Sequence, residues 1–195
     1  MSSAQAPTPD ARYTGIAIGL HWLIAFAIIG TFSVGLYMHD LPLSPQKLKI
    51  YSWHKWAGVT IFMCVVLRLF WRLTHRPPEL PAAMPAWQRK VAEATHLLLY
   101  GLMFAVPLSG WLMSSAKGFQ TVWFGILPLP DLLEKNKDMG DLLQQAHVLL
   151  NFSMAALVGA HLGAALKHHF IDRDDILARM IPLLARTPVP TGDAK

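Results

Sequence analysis

Four long apolar runs dominate the pattern of hydrophobic and polar positions along the chain. They cover residues 15–38, 53–73, 92–114 and 145–168. Each is long enough to cross a lipid bilayer as an α-helix, which takes about 20 apolar residues. The first run is too long for the apolar part of a cleaved signal peptide, and three more follow, so we expect it to remain in the mature chain. The pattern therefore predicts four transmembrane helices.

Prolines and aromatic residues mark the connections between these runs. Four prolines between residues 77 and 85 end the second helix and favour a stiff connection to the third. The connection over residues 117–141 contains Trp123 and Phe124, which suit a membrane interface. We therefore consider a short helix lying on the membrane in this third connection.

The chain divides into three segments on this pattern. Residues 1–12 form a polar tail, residues 13–170 form the transmembrane domain, and residues 171–195 form a cytoplasmic C-terminal segment. Within the last of these, residues 176–184 have the apolar content of an amphipathic helix on the membrane surface.

Composition agrees with a membrane protein. Of the 195 residues, 53% are hydrophobic and only 15% are charged, with a mean hydropathy of +0.35. These values exclude intrinsic disorder, a coiled coil and most soluble folds. The single cysteine excludes an intrachain disulfide and a thiolate metal cluster. The predicted fold class is all-α, an integral membrane four-helix bundle.

The net charge of +5 reflects membrane topology and does not indicate nucleic-acid binding, because no basic stripe is interleaved with aromatic residues. Eleven basic residues lie at the two ends of the chain and around the second connection, and six lie in the other two connections. Such a bias predicts that both termini face the cytoplasm. The two groups are Arg12, Arg68, Arg72, Arg76, Arg89, Lys90, Lys167, Arg173, Arg179, Arg186 and Lys195, and Lys47, Lys49, Lys55, Lys117, Lys135 and Lys137.

Every predicted helix carries at least one histidine, and ionisable residues inside a membrane are functional candidates. His147 and His161 are 14 residues apart, which puts them on one helix face about 21 Å apart along the axis. By depth, His21 is level with His161, and His54 is level with His147. A zinc site would gather its ligands around one point, whereas these residues form two stacked pairs.

Two separated pairs suit two metal ions that each take axial ligands from opposite sides, as haem iron does. The chain has no C-x-x-C-H sequence, so covalent attachment is excluded and two non-covalent b-type haems follow. Two axial ligands leave no open iron position, which favours electron transfer. Arg68 is a candidate to contact a haem propionate or a quinone, or it marks the positive side. The glycines of the spans either admit a flat macrocycle or serve ordinary helix packing.

Several motifs resemble one known family. They are H-W-L at residues 21–23, W-H-K-W-A-G at 53–58, R-L-F-W-R at 68–72, A-T-H-L-L-L-Y at 94–100, P-L-S-G at 107–110 and G-A-H-L-G-A-A-L-K-H-H-F at 159–170. Over residues 13–182 the chain resembles the bacterial cytochrome b561 family of four-helix, di-haem inner-membrane proteins, which is related to cytochrome b subunits of hydrogenases and formate dehydrogenases. The resemblance implies that the first and fourth helices share one haem and the second and fourth share the other.

The resemblance also implies a reaction, a location and partners. A stand-alone member of this family takes electrons from superoxide at the periplasmic face of the inner membrane and passes them to ubiquinone. Lys47, Lys49 and Lys55 lie on the outer side in the predicted topology, where positive charge raises the encounter rate of an anion. The alternative is that these lysines are scattered and solvated, offset by Asp40 and by the acidic third connection.

Two further histidines lie at the inner depth. His168 is a candidate hydrogen-bond donor or proton relay for a quinone. His96 is a candidate to bind quinone, to bind a propionate, or to compete for the inner iron.

Two other functions stay open at this point. One is an electron-transfer subunit for a periplasmic hydrogenase or dehydrogenase, which the short first external connection, residues 39–52, disfavours. The other is a non-redox transporter or assembly protein whose histidines bind metal.

Overall fold

The computed structural model describes residues 12–81 and 84–184, and its four long helices confirm the four predicted spans. They are α1 (Gly15–His39), α2 (Pro45–Thr74), α3 (Ala86–Ala116) and α4 (Lys137–Lys167). We call the end at which α1 and α3 begin and α2 and α4 end the inner end, and the opposite end the outer end. The predicted N-terminal tail lies outside the described residues, apart from its last residue.

Three of the helices begin before the apolar runs do. α2 begins at Pro45, where Ser44 Oγ accepts a hydrogen bond from the Lys47 backbone N–H at 3.2 Å. In α4 the side chain of Asn136 accepts from the Met139 N–H at 3.0 Å. Such caps satisfy the backbone N–H groups that a helix start leaves unpaired, so the helix extends through polar residues beyond the bilayer.

The helices pack as a chain of neighbours. α1 packs on α2, α2 on α3, and α3 on α4. A small core of Ile24, Ile61 and Val65 joins the first two helices, and Tyr100 and Phe104 of α3 lie against it. Within the described residues, α4 makes no comparable backbone approach to α1 or α2. This leaves a slot between α4 and the first two helices.

Large apolar side chains cover the outside of the bundle. Phe26, Leu97 and Leu149 are 66%, 74% and 69% exposed, one on each of three helices. Exposed apolar surface of this extent is costly in water and favourable in lipid. The chain is therefore an integral membrane protein.

The third connection differs from the short membrane helix considered from the sequence. It forms an antiparallel hairpin of two short strands, β1 (Val122–Trp123) and β2 (Leu127–Pro128), with Trp123 opposite Leu127. Gly125 occupies the turn at a φ of 73°, a conformation open to glycine, and proline at residue 128 disfavours a helix. Interfacial aromatic residues therefore do not require a helix here.

The segment after α4 also differs from an amphipathic surface helix. α4 continues into one π-helical turn, His168–Asp172, and Arg173 ends it at a φ of 56°. Residues 176–180 are turns, followed by a 3-10 helix at Pro182–Leu184. This segment folds back on the bundle, where the Trp22 indole N–H donates to the Met180 backbone oxygen at 2.9 Å. Residues 185–195 lie outside the described residues.

Candidate functional site: two facing histidine pairs

The structure brings the four paired histidines together as the helix spacing predicts. His21 of α1 faces His161 of α4 with ring centroids 6.4 Å apart, and His54 of α2 faces His147 of α4 at 6.3 Å. The ring planes within the two pairs cross at 65° and 82°. Both pairs thus lie along one face of α4, one near each end of the bundle.

The ring separations fit two imidazoles with one metal ion between them. Such rings have centroids about 6.2 Å apart, because each metal–nitrogen bond is about 2.0 Å and each ring nitrogen lies about 1.1 Å from its centroid. Each pair also joins α4 to a helix that, within the described residues, it does not approach closely by backbone, α1 for one pair and α2 for the other. The residues present therefore fit a haem iron with two axial histidines at each pair.

A hydrogen bond orients the ring of His147. Its Nδ1 lies 3.1 Å from the backbone oxygen of Val106 and 2.9 Å from Ser109 Oγ. Because the backbone oxygen only accepts, Nδ1 carries the proton and donates it, which leaves the lone pair on Nε2 free for a metal. The Ser109 hydroxyl donates to the same oxygen at 2.7 Å.

Glycines make room for the outer pair. A Cβ built on Gly110 would come within 3.1 Å of His147 Cε1, and one on Gly35 within 3.3 Å of His54 Cε1. Both approaches are closer than ordinary van der Waals contact, so a side chain at either position would push its histidine. Nδ1 of His54 is buried without a well-formed hydrogen bond among the described residues.

Arg68 lies beside the inner pair. Its Nη2 is 3.2 Å from Nδ1 of His21, its Nη1 donates to the Ala17 backbone oxygen at 3.3 Å, and its Nε donates to the Tyr100 hydroxyl at 3.2 Å. An arginine only donates, so its contact with His21 makes Nδ1 of that ring the acceptor. The guanidinium therefore reaches the first ring of the inner pair.

His96 lies next to the inner pair. Its ring centroid is 5.5 Å from that of His161, shorter than the separation of two rings that share a metal ion. By this measure, His21 fits better than His96 as the ring opposite His161.

His168 contacts two carboxylates at the inner end. Its Nδ1 lies 2.7 Å from Asp174 Oδ2 and 3.1 Å from Asp172 Oδ2. Lys167 Nζ already contacts the Asp172 carboxylate at 2.6 Å and 2.8 Å. The cluster is therefore an ion-pair network that holds His168 at the end of α4.

The three outer lysines all have partners. Lys55 Nζ donates to Ser114 Oγ at 3.2 Å and to the backbone oxygens of Phe119 and Gln120 at 3.1 Å each. Lys47 donates to the backbone oxygens of His39 and Leu41, and Lys49 lies 5.2 Å from the centroid of the Trp53 ring. These contacts fix the positions of the three ammonium groups.

The sequence analysis does not assign a role to some residues that contact the site. Ser109 and Tyr100 appear in it only as parts of motifs, because their contacts with His147 and Arg68 depend on how the helices pack. Asp172 carries a signal, since it stands four residues after His168 on one helix face. Asp174 meets His168 only because the chain turns at Arg173.

A four-helix membrane bundle with two facing histidine pairs along one helix defines a class, the membrane-embedded b-type cytochromes. Comparison with known proteins agrees: the model of the family described as prokaryotic cytochrome b561 matches residues 12–183. The chain belongs to the prokaryotic cytochrome b561 family.

Two curated relatives carry the same family name, and a third is named for an activity. Cytochrome b561 homolog 2 of Escherichia coli (strain K12) is 39% identical over 176 residues, covering 89% of this chain and 93% of the relative. Cytochrome b561 homolog 1 of the same organism is 29% identical over 174 residues, covering 88% and 97%. A protein of Yersinia pestis named probable superoxide oxidase CybB is 30% identical over 173 residues, covering 88% and 96%.

Membership settles the coarse function. The family consists of electron-transfer cytochromes that bind b-type haem, so the chain is a membrane electron-transfer protein. A non-redox transporter or assembly protein is thereby set aside.

Proposed function

We propose that this protein oxidises superoxide at the outer end of the bundle and reduces ubiquinone within the membrane. The observation that carries the proposal is the stacking of two facing histidine pairs on α4, at 6.4 Å and 6.3 Å. The name of the Yersinia pestis relative, probable superoxide oxidase CybB, supports the choice of superoxide.

In this proposal four histidines are the axial ligands of two b-type haems. His21 and His161 hold the inner iron, and His54 and His147 hold the outer iron. Haem held by these histidines would supply one-electron transfer at each pair. The hydrogen bond from His147 Nδ1 to Val106 keeps that ring oriented with Nε2 toward the slot.

Arg68 and His96 serve the inner haem or the quinone next to it. A ring that binds metal through Nε2 normally carries its proton on Nδ1, and two donors cannot hydrogen-bond to each other. We therefore expect Arg68 to turn from His21 toward a propionate carboxylate when haem is bound. Its bond to Tyr100 gives it a second anchor. We assign His96, whose ring centroid lies 5.5 Å from that of His161, to contact a propionate or the quinone.

The redox balance requires two superoxide ions for each quinone. Each superoxide loses one electron and becomes dioxygen, and ubiquinone takes two electrons and two protons to become ubiquinol. We assign proton delivery to His168, whose Nδ1 is hydrogen-bonded to Asp174 at 2.7 Å and whose Nε2 would donate to a quinone oxygen.

Positive charge at the outer end supports an anionic electron donor. Lys47, Lys49 and Lys55 place three ammonium groups near the outer ends of α1 and α2, and such charges raise the local concentration of an anion. Lys55 is held by three oxygens, so its charge has a fixed position. In the proposed topology this end faces the periplasm and both termini face the cytoplasm of an inner membrane.

The first test is haem content and redox response of the purified protein. We expect two b-type haems per chain in the reduced-minus-oxidised spectrum, reduction by superoxide, and reoxidation by a short-chain ubiquinone analogue. Two haems that do not respond to superoxide would overturn the substrate and leave the electron-transfer class intact. One haem per chain would overturn the paired ligands.

Substitution of single histidines tests the ligand pairs. We expect His54→Ala or His147→Ala to remove the outer haem and leave most of the inner one, and His21→Ala or His161→Ala to do the reverse. Spectra and haem counts measure this, with His39→Ala as control, since that ring is 69% exposed at the end of α1. Equal loss of both haems from all four variants would contradict the separate sites.

A second function is an electron-transfer subunit that takes electrons from a periplasmic dehydrogenase or hydrogenase. The relative with 39% identity carries a family name that specifies no electron donor, which keeps this function open. A redox enzyme that co-purifies and reduces the haems, while superoxide does not, would select it.

A further inference from the structure

A cavity at the inner end of the bundle is lined by arginine side chains. It lies between the start of α1, the end of α2 and one side chain of α3. None of the described residues that line it is acidic. Its polar lining includes Arg12, Arg68, Arg72, Arg76, Thr14 and Tyr100.

Aromatic rings hold the walls of this cavity in place. The Trp71 indole N–H donates to Thr14 Oγ1 at 2.8 Å, which ties the end of α2 to the start of α1. The His75 ring stacks flat on Trp71, with centroids 3.9 Å apart and planes 6° apart. These contacts fix the end of α2, which carries Arg72 and leads to Arg76, against the start of α1.

The cavity presents several donors and positive charge to a ligand. Because Arg68 donates to the Tyr100 oxygen, the phenol keeps its own O–H as a donor. The Arg72 guanidinium lies 5.6 Å from the centroid of the Tyr100 ring. The start of α1 adds the partial positive charge of its first backbone N–H groups. Three of the four arginines, Arg12, Arg72 and Arg76, are exposed, and we call Arg12 and Arg76 the mouth of the cavity.

We propose that this cavity binds the phosphate of an anionic phospholipid, such as phosphatidylglycerol, in the inner leaflet. The guanidinium fork matches phosphate oxygens in pairs, and basic pockets at the ends of transmembrane helices suit lipid headgroups. The cavity lies where the apolar runs of α1 and α2 both end, at the depth of headgroups. A phosphate there comes from the surrounding bilayer, so no soluble donor is needed.

The proposed haem ligands do not contact the two arginines at the mouth of the cavity. Arg68 reaches His21, and we assign it to the haem side. Among the described contacts, Arg12 and Arg76 make none with the paired histidines. These two arginines can therefore be changed without touching the proposed haem ligands.

Native mass spectrometry of the haem-loaded protein in mild detergent tests the site. Phosphatidylglycerol and phosphatidylcholine with the same acyl chains are added in turn to the wild type and to Arg12→Gln/Arg76→Gln. We expect the wild type to prefer phosphatidylglycerol and the double variant to bind it more weakly, by about fivefold per arginine. The control is Lys90→Gln, an exposed basic residue at the inner start of α3 that does not line the cavity.

Any one of four binding results would overturn the proposal: equal binding of the two lipids by the wild type, an equal loss in the Lys90→Gln control, release of the lipid by millimolar inorganic phosphate, or release by a ubiquinone analogue. Loss of haem from the double variant would also overturn it, because the arginines would then hold propionates. Retention of both haems with loss of the lipid preference supports it, whatever the electron donor proves to be.

Discussion

At the scale of single residues, the glycines show what packing adds to a sequence pattern. The sequence marks glycines in the spans as sites where a macrocycle or a neighbouring helix approaches. The structure separates them: a Cβ at Gly35 or Gly110 would meet a histidine ring, whereas one at Gly58 or Gly101 would meet nothing within 4 Å. The role of Gly35 and Gly110 is therefore to leave space for the outer histidine pair.

Replacing Gly110 tests this role. We predict that Gly110→Ala displaces the His147 ring, because the new methyl group would lie 3.1 Å from its Cε1. Loss of ligand orientation of this kind typically lowers metal-site affinity by about tenfold or more. Haem titration of the haem-depleted protein measures it, and the inner haem should be unaffected. Gly101→Ala on the same helix is the control, and an equal effect there would contradict the prediction.

The histidine pairing could be predicted from sequence, and its supporting contacts could not. A rotation of 100° per residue fixes that His147 and His161 share a face, and span direction fixes which residues match them in depth. The bond from His147 to the Val106 backbone and the turn that brings Asp174 to His168 depend on helix packing and on one left-handed residue. No periodicity encodes either. Iron ligation itself stays a prediction.

At the scale of elements, the third connection is the part that the sequence leaves most open. Its aromatic residues suit a membrane interface in a helix or in a hairpin. The hairpin is held to α2 from below, where the Trp56 indole N–H donates to the Val122 backbone oxygen at 2.6 Å and the Trp123 indole N–H to Thr60 Oγ1 at 3.3 Å. Its fold thus depends on α2 as much as on its own residues.

Lys55 joins the same two elements, and its replacement should loosen them. We predict that Lys55→Gln lowers the stability of the protein by about 1–3 kcal/mol, because the ammonium bonds to three oxygens that join α2 to the end of α3 and to the third connection. Thermal unfolding of the haem-loaded protein in detergent measures it.

Lys49→Gln is the matched control for Lys55, because it removes the same charge from an outer lysine whose described contact is the Trp53 ring. Its effect on stability should be below about 1 kcal/mol. If the two variants unfold at the same temperature, Lys55 does not hold the third connection against α2. The superoxide rate of both variants then reports on charge alone.

At the scale of the whole molecule, the separation of α4 from α1 and α2 links cofactor binding to stability. The two helices that carry each histidine pair contact one another through side chains. For example, the ring centroids of Phe32 on α1 and Phe152 on α4 are 5.8 Å apart. A ligand that binds the folded bundle across this slot stabilises it by mass action. The sequence predicts the four helices and their order, because length and hydropathy suffice for that. It does not predict the slot, which appears only once the helices are packed.

The orientation of the molecule in the membrane is the last expectation, and the single cysteine makes it easy to measure. In a Cys64→Ala background, we introduce Glu79→Cys in the second connection or Glu134→Cys in the third, both at exposed positions. The excess of basic residues at the inner end predicts that this end faces the cytoplasm.

A membrane-impermeant maleimide should therefore label Glu134→Cys in intact spheroplasts, and should label Glu79→Cys only after lysis. The parent Cys64→Ala protein should stay unlabelled in both conditions, which controls for non-specific reaction. The opposite labelling pattern would place the lysines of the outer end in the cytoplasm. It would then exclude periplasmic superoxide as the electron donor at that end, even if both haems were present and redox-active.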